Sequence, residues 1–246
     1  MRKRFEELDR RTTAIGEIVL RRRLEPSLHV EVYEVKLGDE FLMSSLFTVS
    51  EIELAKLALA EVPGIDVDVI VGGLGLGYTA RAVLQDPRVR SLNVVEALGE
   101  VIEWHQHGLL PLAAELVSDP RCHFVEGDFF EMIADGAPFG HHAPERCHAV
   151  LVDIDHTPRH LLHPSHAAFY EPEGLRRLAR RIRPGGVFAL WSDDPPDPEL
   201  LIDMEDVFAS CEAHVVTFPN PHTGAESACT VYVAGVGEEQ SVRGPS

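Results

Sequence analysis

A glycine-rich turn lies at Val71-Gly72-Gly73-Leu74-Gly75-Leu76-Gly77. The apolar, β-branched run before it, residues 67–71, is typical of a buried strand, and residues 78–84 after it fit a helix. Glycine lets the chain turn tightly and lets a ligand approach the main chain closely. In doubly wound α/β folds the first strand-to-helix turn holds a nucleotide or nucleoside. A purely structural turn is the alternative, so the surrounding sequence must decide.

Strand-like and helical segments alternate on the C-terminal side of this turn. Apolar runs predict strands at 67–71, 92–95, 123–125, 149–152 and 187–191. Helices are predicted between them at 78–84, 100–116 with a break at Pro111, 129–133 and 173–182. A helix near 199–211 and an antiparallel pair at 214–218 and 230–234 follow. This alternation predicts an α/β fold with a doubly wound, mostly parallel sheet covered on both faces.

The N-terminal segment has another pattern. Apolar and charged residues alternate near period two from Val30 to Leu37, after a turn at Glu25-Pro26-Ser27. We therefore expect a small antiparallel β-module over residues 1–47, an α/β domain over 48–236 and a flexible tail over 237–246. Between module and domain, Thr48 and Ser50 are each followed three residues later by glutamate, which is the capping-box pattern.

Composition excludes several classes of protein. The chain has 246 residues and a formal net charge of −18, which argues against binding of nucleic acid or anionic lipid through net charge. Its four cysteines form no CxxC pair, and no apolar stretch approaches the roughly 18 residues of a membrane-spanning helix. The charged N-terminus lacks the apolar region of a signal peptide. We expect a cytoplasmic protein without nucleic-acid or membrane partners.

Acidic residues close three consecutive predicted strands. Glu96 ends the strand about twenty residues after the glycines, where a carboxylate can accept hydrogen bonds from ribose hydroxyls. Gly127-Asp128 follows the third strand, and Asp128 could accept from an adenine amino group or only cap a helix. Asp153 ends the fourth strand, at the edge where ligands of open sheets bind, unless it only orders the loop.

The loop after Asp153 carries further candidates. His156 or Asp155 could help Asp153 to take the proton from the incoming nucleophile. Trp191 follows the fifth strand and could wall an acceptor pocket or simply pack in the core. The loop also has four histidines, which could gather around a metal or could be scattered loop residues: His156, His160, His163 and His166. Pro158 favours scattered residues, because proline interrupts any helix that would bring them together. We expect no metal site.

No lysine follows the glycines in the Walker pattern, which disfavours ATP hydrolysis. Gly127-Asp128 and the turn Arg183-Pro184-Gly185-Gly186 resemble those of class I AdoMet-dependent transferases. From about residue 13 to 233, the order of motifs resembles the spermidine synthase (polyamine aminopropyltransferase) family. The matching segments are the β-module, Asp39-Glu40-Phe41, the glycine turn, Glu96, Gly127-Asp128, the Asp153 loop, Phe169-Tyr170 and the Pro-Gly-Gly turn.

The resemblance implies a cofactor site at Gly72, Gly73, Gly75, Gly77, Gly127, Glu96 and Asp128. It further implies that Asp153 is the base that deprotonates an attacking amine and that residues 155–158 form a mobile loop. We expect Tyr170, which lies in a matching segment, and Trp191, by its place after the fifth strand, to contact the substrate. The chain also departs from the family. Gly75 stands where the family has an aspartate that binds the aminopropyl amine, residues 42–45 replace a Tyr-His-Glu stretch, His156 replaces a loop aspartate and Gly16 replaces a glutamine.

The resemblance implies AdoMet or decarboxylated AdoMet as cofactor and a small-molecule acceptor. Because Gly75 supplies no carboxylate, methyl transfer is slightly favoured over the alternative, aminopropyl transfer. A catalytically silent nucleoside-binding scaffold also stays open. The family's habit suggests a homodimer.

Overall fold

The computed structural model describes residues 5–238. Its N-terminal part is an antiparallel sheet of four strands in the order β1-β2-β3-β4: β1 (Phe5–Thr13), β2 (Gly16–Glu25), β3 (Val30–Leu37) and β4 (Glu40–Ser44). The predicted hairpin is present as β2 and β3. The β1 strand was not predicted from the sequence, because its residues are mostly charged and exposed. Their charges pair on the sheet, as in Arg22 with Glu6 at 2.6 Å.

The second sheet has seven strands in the order β10-β11-β9-β8-β5-β6-β7. Five of them are parallel: β5 (Val67–Gly72), β6 (Val89–Glu96), β7 (Cys122–Glu126), β8 (Cys147–Val152) and β9 (Ile182–Ser192). The antiparallel pair β10 (Ser210–Asn220) and β11 (Ala225–Gly235) extends the sheet beside β9. The predicted doubly wound sheet with a small antiparallel module is confirmed. Its chain order reverses at β5, where the glycine turn begins.

Seven helices of the described chain are α1 (Val49–Glu61), α2 (Tyr78–Leu84), α3 (Gly99–Gln106), α4 (Ala113–Ser118), α5 (Phe129–Asp135), α6 (Pro172–Ala179) and α7 (Pro198–Glu205). The break predicted at Pro111 separates α3 from α4. Two predicted helix ends were too late, since Ile182 already belongs to β9 and residue Cys211 to β10. The predicted turn Arg183–Gly186 lies inside β9, where the pairing with β8 shifts register.

A shared core fixes the first sheet against the second. Ile18, Leu20 and Val35 of the small sheet are fully buried in the cluster that contains Leu54 of α1 and Val71 of β5. This packing holds β4 over the glycine turn. Within residues 5–238, no helix is long and apolar enough to cross a membrane. Of the predicted flexible tail, residues 239–246 lie outside the described residues.

Candidate active site

The glycine turn is fixed by contacts that exclude side chains. Gly73, Gly75 and Gly77 have φ values of +96°, +49° and +91°, which L-residues with a side chain rarely adopt. A Cβ on Gly73 would lie 2.1 Å from the carbonyl oxygen of Asp153, and one on Gly75 would lie 3.0 Å from the Met43 sulfur. The bare turn therefore brings the end of β8 and the strand β4 to one place.

Glu96 lies at the end of β6 and accepts hydrogen bonds from the backbone of this turn. Its Oε2 accepts from the backbone N–H groups of Leu74 at 3.0 Å and Gly75 at 3.4 Å, and its Oε1 accepts from Leu98 at 2.9 Å. Burial raises the pKa of Glu96, and the three backbone hydrogen bonds oppose that rise. A carboxylate offers about four acceptor positions, so Glu96 can still accept a bond from a hydroxyl.

Asp128 does cap a helix, as the alternative reading held. Its Oδ1 accepts from the N–H groups of Phe130 at 2.8 Å and Glu131 at 3.2 Å at the start of α5. Asp128 also lines, with Glu96, a side pocket of about 110 Å³ that includes Ala97 and Leu98. Because both capping bonds use Oδ1, Oδ2 can accept from a ligand in this pocket. Capping and ligand binding are therefore compatible roles.

An inner cavity of about 400 Å³ opens between the turn, α1 and the ends of β8 and β9. It is continuous with the side pocket, since Gly73, Gly75 and Asp153 line both. Its lining contains Glu51, Asp153 and Asp193, and among the described residues that line it none is Lys or Arg. His156 and Trp191 line it as expected. The cavity is therefore strongly acidic.

Two of these carboxylates lie close enough to affect one another. Asp153 Oδ2 accepts from the Thr79 hydroxyl at 2.7 Å, and burial raises the pKa of Asp153. Glu51 Oε2 accepts from the Ser50 hydroxyl at 2.7 Å. Burial and the nearby charge of Asp153 raise the pKa of Glu51 to about 7. Carboxyl groups with raised pKa values that line a cavity are a property of many functional sites.

From the sequence, Glu51 was predicted only to be part of a capping box with Thr48. The structure contradicts that interpretation, because the Thr48 side chain makes no capping bond at the start of α1. The Glu51 side chain lines the cavity instead. The signal available in the sequence was an acidic residue in the first turn of a helix that follows the β-module, and that signal equally fits a cap.

Asp155 lies outside the lining of the inner cavity. Its side chain is buried, at 2% exposure, and accepts bonds from the Leu162 N–H at 2.7 Å, from His166 Nδ1 at 2.8 Å and from the Tyr170 hydroxyl at 2.9 Å. Neither Asp155 nor Tyr170 lines the inner cavity. The pair instead connects the loop after β8 to Tyr170, and the donors compensate the buried carboxylate. Roles of Asp155 in catalysis and of Tyr170 in substrate binding stay predictions.

The remaining loop histidines are spread out. The rings of His156 and His160 lie 5.0 Å apart, and those of His163 and His166 lie 6.0 Å apart. Across residues 5–238, no three His, Cys, Asp or Glu side chains are grouped to hold a metal ion. The carbonyl of His156 accepts from the Asp193 N–H at 2.8 Å, which ties the loop to the end of β9.

Comparison with protein families found no family model that matches the chain. Among curated proteins, polyamine aminopropyltransferase 2 of Pseudomonas aeruginosa is 30% identical over 164 residues. The match covers 62% of this chain and 43% of that relative, so the chain spans less than half of the relative's length.

Solved structures share the fold. Spermidine synthase from Thermotoga maritima matches 95% of this chain and 74% of its own, with a TM-score of 0.71 and 18% identity. A spermidine synthase in complex with the transition-state analogue AdoDATO has the same coverage, a TM-score of 0.73 and 17% identity. Human methyltransferase-like protein 13 in complex with SAH matches 80% of this chain and 82% of its own, with a TM-score of 0.51 and 19% identity.

The curated relative is named for aminopropyl transfer, the alternative stated from the sequence, and not for the methyl transfer that Gly75 suggested. They confirm the resemblance stated from the sequence: the chain has the spermidine synthase fold, within the class I AdoMet-dependent transferase architecture, and is similar in sequence to a polyamine aminopropyltransferase.

Proposed function

We propose that the protein transfers an aminopropyl group from decarboxylated AdoMet to an amine acceptor. The observation that carries the proposal is the charge of the inner cavity, where Glu51, Asp153 and Asp193 meet no Lys or Arg among the described lining residues. Such a cavity stabilises a sulfonium and ammonium groups, which need carboxylates to offset their desolvation. It opposes the α-carboxylate of intact AdoMet, which would add another negative charge.

The side pocket and the glycine turn fit the nucleoside end of this ligand. Glu96 can bond a ribose hydroxyl, and Asp128 Oδ2 can accept from the adenine amino group. Phe129 and Ala97 line the same pocket and supply apolar surface for a base. The tail of a nucleoside bound there points past Gly73 and Gly75 into the acidic cavity, since these glycines line both spaces.

The bound nucleoside supplies an activated leaving group: the acceptor nitrogen forms a bond to the propyl carbon, the carbon–sulfur bond breaks, and the sulfur keeps the electron pair as a neutral thioether. The protein aligns acceptor and carbon and removes the proton. Asp153 suits that last step because its raised pKa makes it a better base, and the Thr79 hydroxyl orients it. His156 and Asp193 line both the inner cavity and an outer pocket that Arg21 and Arg23 also line, so we expect the acceptor to enter past them.

The test combines purified protein with decarboxylated AdoMet or AdoMet and a panel of primary amines, and identifies products by mass spectrometry. We expect an acceptor that gains one aminopropyl group only with the decarboxylated form, and loss of turnover in Asp153→Asn. Methylated product alone, or nucleoside binding with no turnover on any amine, contradicts the proposal; the second result supports the scaffold reading. A homodimer and a cytoplasmic location stay predictions.

A further inference from the structure

The glycine turn lacks a carboxylate where the tail of the nucleoside passes. Gly75 has a φ of +49°, and a Cβ there would meet the Met43 sulfur at 3.0 Å. An aspartate at this position would have both backbone strain and the Met43 side chain against it. If the ligand ends in an ammonium group, its charge must be matched from another element of the fold.

Glu51 is placed to balance the positive charge of that ammonium group. It comes from α1, on another wall of the cavity from Gly75, and its described hydrogen bond is from the neutral Ser50 hydroxyl. Among the residues that the structure describes, Glu51 forms no ion pair, although its side chain is partly buried in the cavity wall. A partly buried carboxylate without a cation, in a cleft, is a candidate for binding a cationic ligand.

The second carboxylate, Asp153, completes the arrangement. Glu51 and Asp153 line the same cavity, and the charge of Asp153 disfavours ionisation of Glu51. Two carboxylates that repel each other in the empty cavity become mutually compatible when an ammonium group lies between them. A carboxylate of the ligand at the same place would instead be a third anion.

Building on the proposed aminopropyl transfer, we propose that Glu51 holds the terminal ammonium of the aminopropyl group together with Asp153, in place of a carboxylate on the glycine turn, and thereby selects decarboxylated AdoMet over AdoMet. Glu51 is then a specificity-determining residue, and Asp153 keeps its role as base toward the acceptor. An ammonium group beside Glu51 would lower the raised pKa of that carboxyl, so we expect ligand binding to release a proton near neutral pH.

The test is calorimetric titration of the full chain with decarboxylated AdoMet and with AdoMet, for wild type, Glu51→Gln and the matched control Glu53→Gln. Glu53 lies on the same helix and pairs with Lys56 at 2.7 Å, so it has the same chemistry without the cavity. We expect Glu51→Gln to lose roughly 10- to 150-fold in affinity for the decarboxylated form, the effect of losing a charged hydrogen bond, while AdoMet affinity stays equal or rises. The control should bind as wild type does.

Further measurements test whether the effect on binding comes from the Glu51 carboxylate itself. Titration in buffers of different ionisation enthalpy should show proton release by wild type at pH 6.5 and less by Glu51→Gln. Glu51→Asp should recover part of the preference, and thermal unfolding verifies that each variant is folded. The role of Glu51 is overturned if Glu51→Gln still prefers the decarboxylated form. It is also overturned if Glu51→Gln weakens only the binding of the amine acceptor. Either result leaves the proposed function intact. Failure of wild type to prefer the decarboxylated form overturns the proposed function itself.

Discussion

Replacing Glu51 by glutamine should stabilise the ligand-free protein at alkaline pH. The folded-state pKa of Glu51 is about 7, raised from the ordinary 4.5 by burial and by Asp153. Below pH 4.5 both folded and unfolded chains bind the proton, so Glu51 costs nothing. As pH rises toward 7, the unfolded chain ionises first, and the free energy of unfolding falls. The full penalty is present above pH 7.

The magnitude follows from the two pKa values. The difference between about 7 and 4.5, at about 1.4 kcal/mol per pH unit, gives an upper limit of about 3–4 kcal/mol. Part of this belongs to the interaction with Asp153, so about 1–3 kcal/mol is expected for Glu51→Gln at pH 8. Glutamine has nearly the same shape and can still accept from the Ser50 hydroxyl, so packing should change little.

Urea unfolding of wild type and Glu51→Gln at pH 5, 6, 7 and 8 measures this effect. Wild type should lose stability between pH 5 and 7 more steeply than the variant, and the difference between the two should be much smaller at pH 5 than at pH 8. Glu53→Gln is the control, because Glu53 already has Lys56 as a partner. A variant that is less stable than wild type at pH 8, or an unchanged pH slope, would refute the placement of Glu51 as an unpaired buried acid.

Three other variants test separate parts of the site. Asp153→Asn should lower kcat roughly 10²- to 10⁴-fold, as expected when a general base is lost, and should also weaken binding of decarboxylated AdoMet, because Asp153 shares its ammonium group with Glu51; unchanged turnover in steady-state kinetics contradicts the role as base. Glu96→Ala should weaken nucleoside binding by about 1–3 kcal/mol in calorimetry, the scale of a lost charged hydrogen bond, and unchanged affinity would mean that the ribose lies elsewhere. Asp155→Ala should lower the free energy of unfolding by at least about 2 kcal/mol, because the Leu162 N–H and the Tyr170 hydroxyl lose their acceptor. An unchanged denaturation midpoint would show that this loop network contributes nothing.

Much of the fold could be predicted because its central strands are buried on both faces. The β5 and β8 strands read as continuous apolar runs, which few other structures produce. The β1 strand could not be found this way, since its charged side chains are satisfied by cross-strand partners rather than by burial. The start of β9 was also hidden, because Pro184 and Gly185 read as a turn while the chain there still pairs within the sheet.

The site was predictable only where topology alone places a residue. Glu96 and Asp153 follow parallel strands, and the carboxyl ends of such strands meet at one edge of the sheet. Whether a side chain then turns toward the cavity depends on contacts distant in sequence. Asp155 turns inward to Tyr170, and Glu51 faces the cavity, because of how α1 and the β8 loop pack. No local pattern distinguishes these residues from an acid that faces solvent.

A crystal structure of the protein with decarboxylated AdoMet tests the central claim most directly. We expect the ribose to be hydrogen-bonded to Glu96 and the adenine to lie in the side pocket beside Asp128. The terminal ammonium group should lie within hydrogen-bond distance of Glu51 and Asp153. A nucleoside bound away from the glycine turn, or bound there with its ammonium group directed away from both carboxylates, would contradict the account.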